Sequence, residues 1–264
     1  MTKPTILLVN DDGIHSPGLV AAARALFPLG RLVVTAPETQ QTSMGRAYTG
    51  NAASRFRSVA FPLEHVEAYA LEASPAGVVR HALFALGLKP ALVVSGINYG
   101  ENVGINVTAS GTVGAVFEAF EHGIPGLAVS LETAVTSHHS YTEQDWTACI
   151  HFTALFAKTI LAKGMVPGAD VLKVEIPAGA THNTPWEAAR ISTLPYYAMA
   201  LTNPNPASRF GDCGVCGKLL GAGEPADTDA YAIRTKKVVA VTPMTMDMTA
   251  YAALDTITSW AKTI

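Results

Sequence analysis

The chain has 264 residues, 49% of them hydrophobic, with 18 Lys and Arg against 21 Asp and Glu and a net charge of −3. That length fits one large domain, or one domain with an appendage, around a sizeable core. The basic residues form no cluster and no apolar run is long enough to span a bilayer. A duplex nucleic-acid surface and a membrane anchor are therefore not expected.

Lys3-Pro4 is followed at once by a short strand rather than a signal-peptide-like apolar segment, so a cytoplasmic protein is expected. Ile6-Leu7-Leu8-Val9 has the length and type of a fully buried strand. Asn10-Asp11-Asp12-Gly13 follows, and Ser16-Pro17 reads as a helix start, an N-cap hydroxyl with proline at the first helical position. Two adjacent carboxylates thus stand where a strand ends and a helix begins, the edge of an open α/β sheet where ligands bind. Turn chemistry alone explains one Asp. Two side by side repel each other and ask for a cation, for which a hard divalent ion with oxygen ligands is the natural choice.

The helix runs from about Pro17 to Leu29, and Arg31–Ala36 is the second strand, completing a βαβ unit. Beyond Pro37 the polar stretch Glu38–Arg46 leaves the same sheet edge, which makes Thr42 or Ser43 a candidate oxygen ligand. Ala47 to about Leu71 alternates weakly and is expected to form short strands or a hairpin. Ser74-Pro75 starts a second helix, and Ala91–Ser95 is another buried parallel strand. The loop Gly96–Gly104, with three glycines and two asparagines, follows directly; such a composition at a strand end suits close approach of backbone to a ligand. Ser110-Gly111-Thr112 opens the next helix, to about Phe120, with small residues and hydroxyls suited to an anion at a helix N-terminus.

Gly126–Ser130 is a further strand, and Thr142–Lys163 reads as one long helix, with His138, His139 and His151 taken as loop and surface residues. Val171–Pro177 alternates as a partly exposed strand would. Ala178–Pro225 is rich in Gly, Pro, Asn and Thr and is expected to be an excursion of hairpins away from the sheet, toward another subunit. Within it Cys213 and Cys216 form a C-x-x-C with no second ligand pair, read as two surface thiols. Val238–Pro243 is a last strand, and a helix is expected from Asp247 to Ala261. The fold class is α/β: a three-layer, Rossmann-like, mostly parallel sheet flanked by helices, with a β-hairpin-rich C-terminal extension. Its parts are a catalytic core at residues 1–177, an extended hairpin and loop region at 178–237 serving oligomerisation, and a strand and helix at 238–264 that return to, or are swapped onto, a core.

Val9-Asn10-Asp11-Asp12-Gly13, Ala36-Pro37 through Gly45, Ser95-Gly96-Ile97-Asn98-Tyr99-Gly100-Glu101-Asn102 and Ser110-Gly111-Thr112-Val113 together resemble the SurE family, the survival-protein 5′/3′-nucleotidases. The resemblance spans nearly the whole chain; Tyr99 stands where Arg is common, Gly77 where Asp is common, and Ile105-Asn106 replaces an acidic pair. It implies a metal-dependent phosphomonoesterase acting on nucleoside 5′-monophosphates, and in some members 3′-monophosphates. One Mg²⁺ or Mn²⁺ per subunit is implied, on Asp11, Asp12, Thr42 and Asn98, with Ser43 second to Thr42. Asp11, Asp12 and Asn98 are the implied catalytic residues and Asn102, Ser110, Gly111 and Thr112 the implied phosphate-binding ones. A homodimer or homotetramer is implied, with Tyr196 or Tyr197 near a subunit contact or the active-site mouth.

Two other classes stay open: a non-catalytic Mg²⁺-binding regulator, and a phosphatase of the haloacid dehalogenase type that forms an aspartyl phosphate. The latter needs D-x-D after the first strand, and here Asn10 occupies the first position. No G-x-G-x-x-G follows that strand, so a dinucleotide fold is not expected.

Overall fold

The structure is a computed structural model that describes residues 3–219 and 223–261. Its strands are β1 (Thr5–Val9), β2 (Arg31–Pro37), β3 (Arg57–Ser58), β4 (Glu67–Leu71), β5 (Leu92–Tyr99), β6 (Gly126–Leu131), β7 (Val171–Ile176), β8 (Trp186–Ala188), β9 (Tyr197–Leu201), β10 (Cys213–Lys218) and β11 (Val239–Met244). The helices are α1 (Pro17–Leu26), α2 (Pro75–Ala85), α3 (Gly111–Glu121), α4 (Thr147–Lys163), α5 (Asp229–Tyr231, continued by a π-turn at Ala232–Lys236) and α6 (Leu254–Trp260).

Among the described residues the main sheet has nine strands in the order β3-β4-β2-β1-β5-β6-β7-β11-β8. From β4 to β7 every pair is parallel; β3 and β11 run against their neighbours on β4 and β7. β1 is apolar from Ile6 to Val9, where it is buried on both faces. Ile6 and Leu8 pack with Leu19 of α1 and Phe152 of α4, whereas Leu7 and Val9 pack with Val78 of α2 and Ala115 of α3. The chain moves outward from β1 through β2 to β4, then crosses back through α2 to β5. β1 and β5 therefore flank the point where the strand order reverses, and their carboxyl ends open a crevice there.

Several elements differ from the sequence reading, each for a local reason. The expected helix Thr142–Lys163 starts only at Thr147, five residues late, after a turn in which Asp145 Oδ1 accepts the Thr147 N–H at 2.9 Å. Residues 140–146 instead make an ordered loop after a 3₁₀ turn at Val135–His139. The expected loop from Gly96 is strand as far as Tyr99, with a register shift against β6 between Ser95 and Asn98.

β7 is buried along its whole length rather than half-exposed. Its alternate residues Lys173 and Glu175 are 0% exposed because Lys173 Nζ pairs with Asp229 at 3.0 Å and Glu175 at 3.6 Å. The stretch expected to leave the sheet does so only in part. β8 pairs with β11 on the main sheet and Tyr196 is buried, while β9 and β10 form a separate antiparallel hairpin. At the C-terminus the helix is shorter than expected: Asp247 Oδ1 accepts the Thr249 N–H at 2.9 Å in a turn, and α6 begins at Leu254.

Candidate active site

The turn after β1 is pinned by Asn10, whose carboxamide donates to Gly13 O at 3.0 Å and accepts from Gly13 N at 3.2 Å. Asn10 is thereby a structural clamp with both ends of its side chain spent, in the position where an aspartyl-phosphate phosphatase keeps its nucleophile. The clamp projects the next two carboxylates in different directions.

Asp11 turns toward α3. The Thr112 hydroxyl donates to Asp11 Oδ1 at 2.7 Å, and a Cβ on Gly111 would stand only 3.0 Å from Asp11 Oδ2. Gly111 is glycine because the carboxylate lies against the helix end. Ser110 is the N-cap, its hydroxyl accepting the Val113 N–H at 3.1 Å. The helix N-terminus thus already has a carboxylate beside it. A phosphate brought there meets Asp11 at close range, and the repulsion is relieved only by a cation between them.

Asp12 turns toward β5. Its Oδ2 accepts the Tyr99 N–H at 3.0 Å and its Oδ1 accepts Gln40 Nε2 at 3.2 Å. Gln40 Nε2 also donates to His138 O at 2.6 Å, and Tyr141 donates its hydroxyl to the Asp12 carbonyl at 2.6 Å. Asn98, at the end of β5, donates Nδ2 to Gly100 O at 2.7 Å, which directs the oxygen of its carboxamide to the other side. Asp11, Asp12 and Asn98 are all buried, between 2% and 8% exposed.

Burial pushes the Asp11 carboxyl up to about 6, against the opposing hydrogen bond from Thr112. Asp12 is pushed well above the usual carboxylate range by burial and then by the charge of Asp11, with the Tyr99 N–H and Gln40 pulling the other way. The pair carries negative charge that its protein neighbours do not neutralise. Oxygen donors of this kind, two carboxylates with an amide oxygen, fit a hard divalent ion. Among the described residues no group of three or more His, Cys, Asp or Glu could form a metal site by itself. A site here must therefore draw on amide and hydroxyl oxygens as well.

Thr42 and Ser43 lie in an exposed turn just beyond Gln40, with Ser43 at a φ of 62°. The loop that carries them is docked at both ends of the site: Gln41 N donates to Asp11 O at 2.7 Å and Gly45 N donates to Ala109 O at 2.8 Å. Asn102 sits farther out, its N–H on Glu175 Oε2 at 2.9 Å and its Nδ2 on Ser130 Oγ at 2.8 Å. Cys213 and Cys216 are exposed on β10, and Cys149 is buried.

A family model described as "Survival protein SurE" matches residues 6–197. A protein of Thermococcus gammatolerans named 5′-nucleotidase SurE is 38% identical, over 93% of this chain and 91% of the relative. The chain belongs to the SurE family. A Methanocella arvoryzae protein of the same name is 36% identical over 93% of both chains. The crystal structure of the SurE protein from Aquifex aeolicus superposes with a TM-score of 0.77 at 28% identity, covering 98% of this chain and all of that one.

Within this SurE chain the structure brings Asp11, Asp12, Asn98, Ser110, Gly111 and Thr112 to one point at the carboxyl edge of β1 and β5. The loop with Thr42 borders it, and Asn102 faces β6 and β7. Two residues that sequence reasoning did not single out also contact Asp12 in this SurE chain. Gln40 lies two positions before Thr42 in the polar stretch already noted, so it was within reach of the sequence. Tyr141 is 129 residues from Asp12, and nothing in its own neighbourhood marks it.

Proposed function

We propose that this chain is a divalent-metal-dependent nucleotidase that hydrolyses nucleoside 5′-monophosphates, and also 3′-monophosphates, to nucleoside and inorganic phosphate. One observation carries the reading: two buried adjacent carboxylates, the Asn98 carboxamide and the N-terminus of α3 meet at the switch point of a parallel sheet. The 5′-nucleotidase names of the relatives point the same way.

Asp11, Asp12 and Asn98 Oδ1, with the Thr42 hydroxyl, would hold one Mg²⁺ or Mn²⁺ per subunit. A bound ion of this kind supplies positive charge to the phosphoryl group and makes water at the site more acidic. The remaining work falls to the protein. The N-terminal turn of α3 offers a positive dipole end to the phosphoryl oxygens, unobstructed by a side chain at Gly111. Thr112 holds Asp11, and Tyr99 N with Gln40 holds Asp12, so both carboxylates are oriented before substrate arrives. Hydrolysis forms a bond from water oxygen to phosphorus and breaks the bond from phosphorus to the ribose oxygen, which takes up a proton.

The subunit reading is a homodimer or homotetramer. Its support is the apolar surface that hairpin β9–β10 and the C-terminal segment present: Met199, Phe210, Met248, Tyr251, Leu254, Ile257 and Trp260 are all more than 45% exposed.

The test is phosphate release from a panel of nucleoside monophosphates, with EDTA and with added Mn²⁺ or Mg²⁺. Turnover that EDTA abolishes and metal restores is expected. Asp12→Asn should keep the fold and lose on the order of a hundredfold in rate, since nothing nearby replaces the lost charge. Near-normal turnover by Asp12→Asn at saturating metal would sink the assignment.

A further inference from the structure

Tyr141 is the aromatic side chain at the site that is both held in place and open to solvent. Its hydroxyl donates to the carbonyl of Asp12 at 2.6 Å, and its ring leans on Tyr99 with centroids 5.7 Å apart at 38°. Tyr99 is in turn wedged against Trp146 at 5.2 Å, nearly perpendicular, and donates its hydroxyl to Thr142 O at 3.0 Å. The loop is tied again where Thr142 Oγ1 donates to Ser137 Oγ at 2.8 Å. Tyr141 nevertheless remains 47% exposed, whereas Tyr99 is 4% exposed.

Such a ring has the properties of a stacking platform. Its orientation is fixed by its own hydroxyl and by the ring beneath it, so little side-chain entropy remains to be lost on binding. Its hydroxyl is bonded on the Asp12 side of the acidic pair, whereas α3 presents its N-terminal residue Thr112 to Asp11. A ligand whose phosphoryl group lies at α3 and spans the carboxylate pair brings its far end to Tyr141. For a nucleoside monophosphate that far end is the base.

We propose that Tyr141 is the shelf on which the nucleobase stacks, and that it distinguishes nucleotides from other phosphomonoesters. This rests on the nucleotidase reading. Stacking on an aromatic face tolerates any base, so the shelf selects nucleotides as a class rather than one base.

The experiment measures KM and kcat for AMP and for ribose 5-phosphate, which lacks the base, with inorganic phosphate as a competitive inhibitor. Tyr141→Leu should raise KM for AMP about tenfold or more, the scale of one lost stacking partner. Its KM for ribose 5-phosphate and its phosphate inhibition constant should move no further than those of Tyr141→Phe, which also loses the bond to the Asp12 carbonyl. Tyr141→Phe keeps the ring and should keep the ratio of the AMP and ribose 5-phosphate KM values.

An equal rise for both substrates in Tyr141→Leu, or no rise for AMP, would overturn the shelf. Should the Leu variant fail to fold, Tyr141→Phe and Tyr141→Trp decide. Retained discrimination in both supports the shelf, and equal losses on both substrates in Tyr141→Phe would leave Tyr141 only the role of positioning Asp12. A wild-type enzyme that hydrolyses ribose 5-phosphate but not AMP would remove the nucleotidase reading itself. Intact AMP hydrolysis with unchanged discrimination in Tyr141→Leu would remove the shelf alone.

Discussion

Gly114 lies one turn inside α3, where the loop carrying Thr42 and Ser43 is pressed onto the helix. A Cβ at this position would stand 2.8 Å from Arg46 N and closer still to the carbonyl of Gly45. Nonbonded carbons rest at about 3.5–4.0 Å, so Gly114→Ala forces the loop backbone back by about 1 Å. The loop cannot yield freely. Gly45 N is bonded to Ala109 O at 2.8 Å, and Arg46 Nε is bonded to the buried Glu118 Oε2 at 3.0 Å. Overpacking of this kind costs about 1–3 kcal/mol, and a lost backbone bond about 1 kcal/mol more. Alanine in place of glycine within a helix returns about 1 kcal/mol. The net destabilisation is thus about 1–3 kcal/mol, or roughly 2–10 °C in Tm for a chain of this size.

The effect on turnover should be larger than that fraction of unfolding explains. Thr42 and Ser43 lie two to three residues from the displaced Gly45, and a misplacement of about 1 Å at a catalytic constellation can cost on the order of a hundredfold. Melting followed by circular dichroism and phosphate release at saturating Mn²⁺, on the same preparation, separate the two effects. A Gly114→Ala protein with wild-type melting and wild-type turnover would refute the idea that this glycine docks the ligand loop.

Thr42→Val should impair turnover more than Ser43→Ala at limiting Mn²⁺, since the count from Ala36-Pro37 puts Thr42 in register; the reverse order would move the ligand by one residue. Burial pushes Glu175 up to about 7 despite Lys173 beside it. Its folded-state pKa lies above the unfolded one, so its charge penalty is absent below about pH 4.5 and complete above pH 7, and stability falls by up to about 3 kcal/mol across that window. Asp11, pushed up to about 6, acts in the same direction, whereas Glu118 and Glu132, held low by their basic and hydrogen-bonding partners, lose stability only as pH falls below their ordinary range. Urea midpoints at pH 5 and pH 7 in EDTA should therefore favour pH 5, and Glu175→Gln, which still accepts the Asn102 N–H, should flatten the difference; parallel pH profiles for the two proteins would contradict the reading. Light scattering at micromolar concentration should give the mass of a dimer or tetramer, and a fully active monomer would show that the hairpin and α6 act without a second copy.

Local chemistry is legible along the chain. Ile6–Val9 reads as a strand buried on both faces, Ser74-Pro75 and Ser110-Gly111 as helix starts, and an Asp pair between such elements marks the sheet edge. These features follow from periodicity, capping and charge repulsion within a few residues of chain. The family motifs added Asn98, and the choice of Thr42 over Ser43, by their order along the chain.

Contacts between distant segments set the rest. Lys173 and Glu175 alternate like surface residues, and only Asp229 and the Asn102 amide, arriving from elsewhere in the chain, make their burial affordable. Thr112, expected to meet phosphate, spends its hydroxyl on Asp11, because β1 and α3 converge at the crevice. Tyr141 reaches Asp12 only because the chain halts at Asp145 before α4 begins. Side-chain chemistry can be read residue by residue, but which carboxylate faces which helix end is set by long-range packing, and no local signal encodes it.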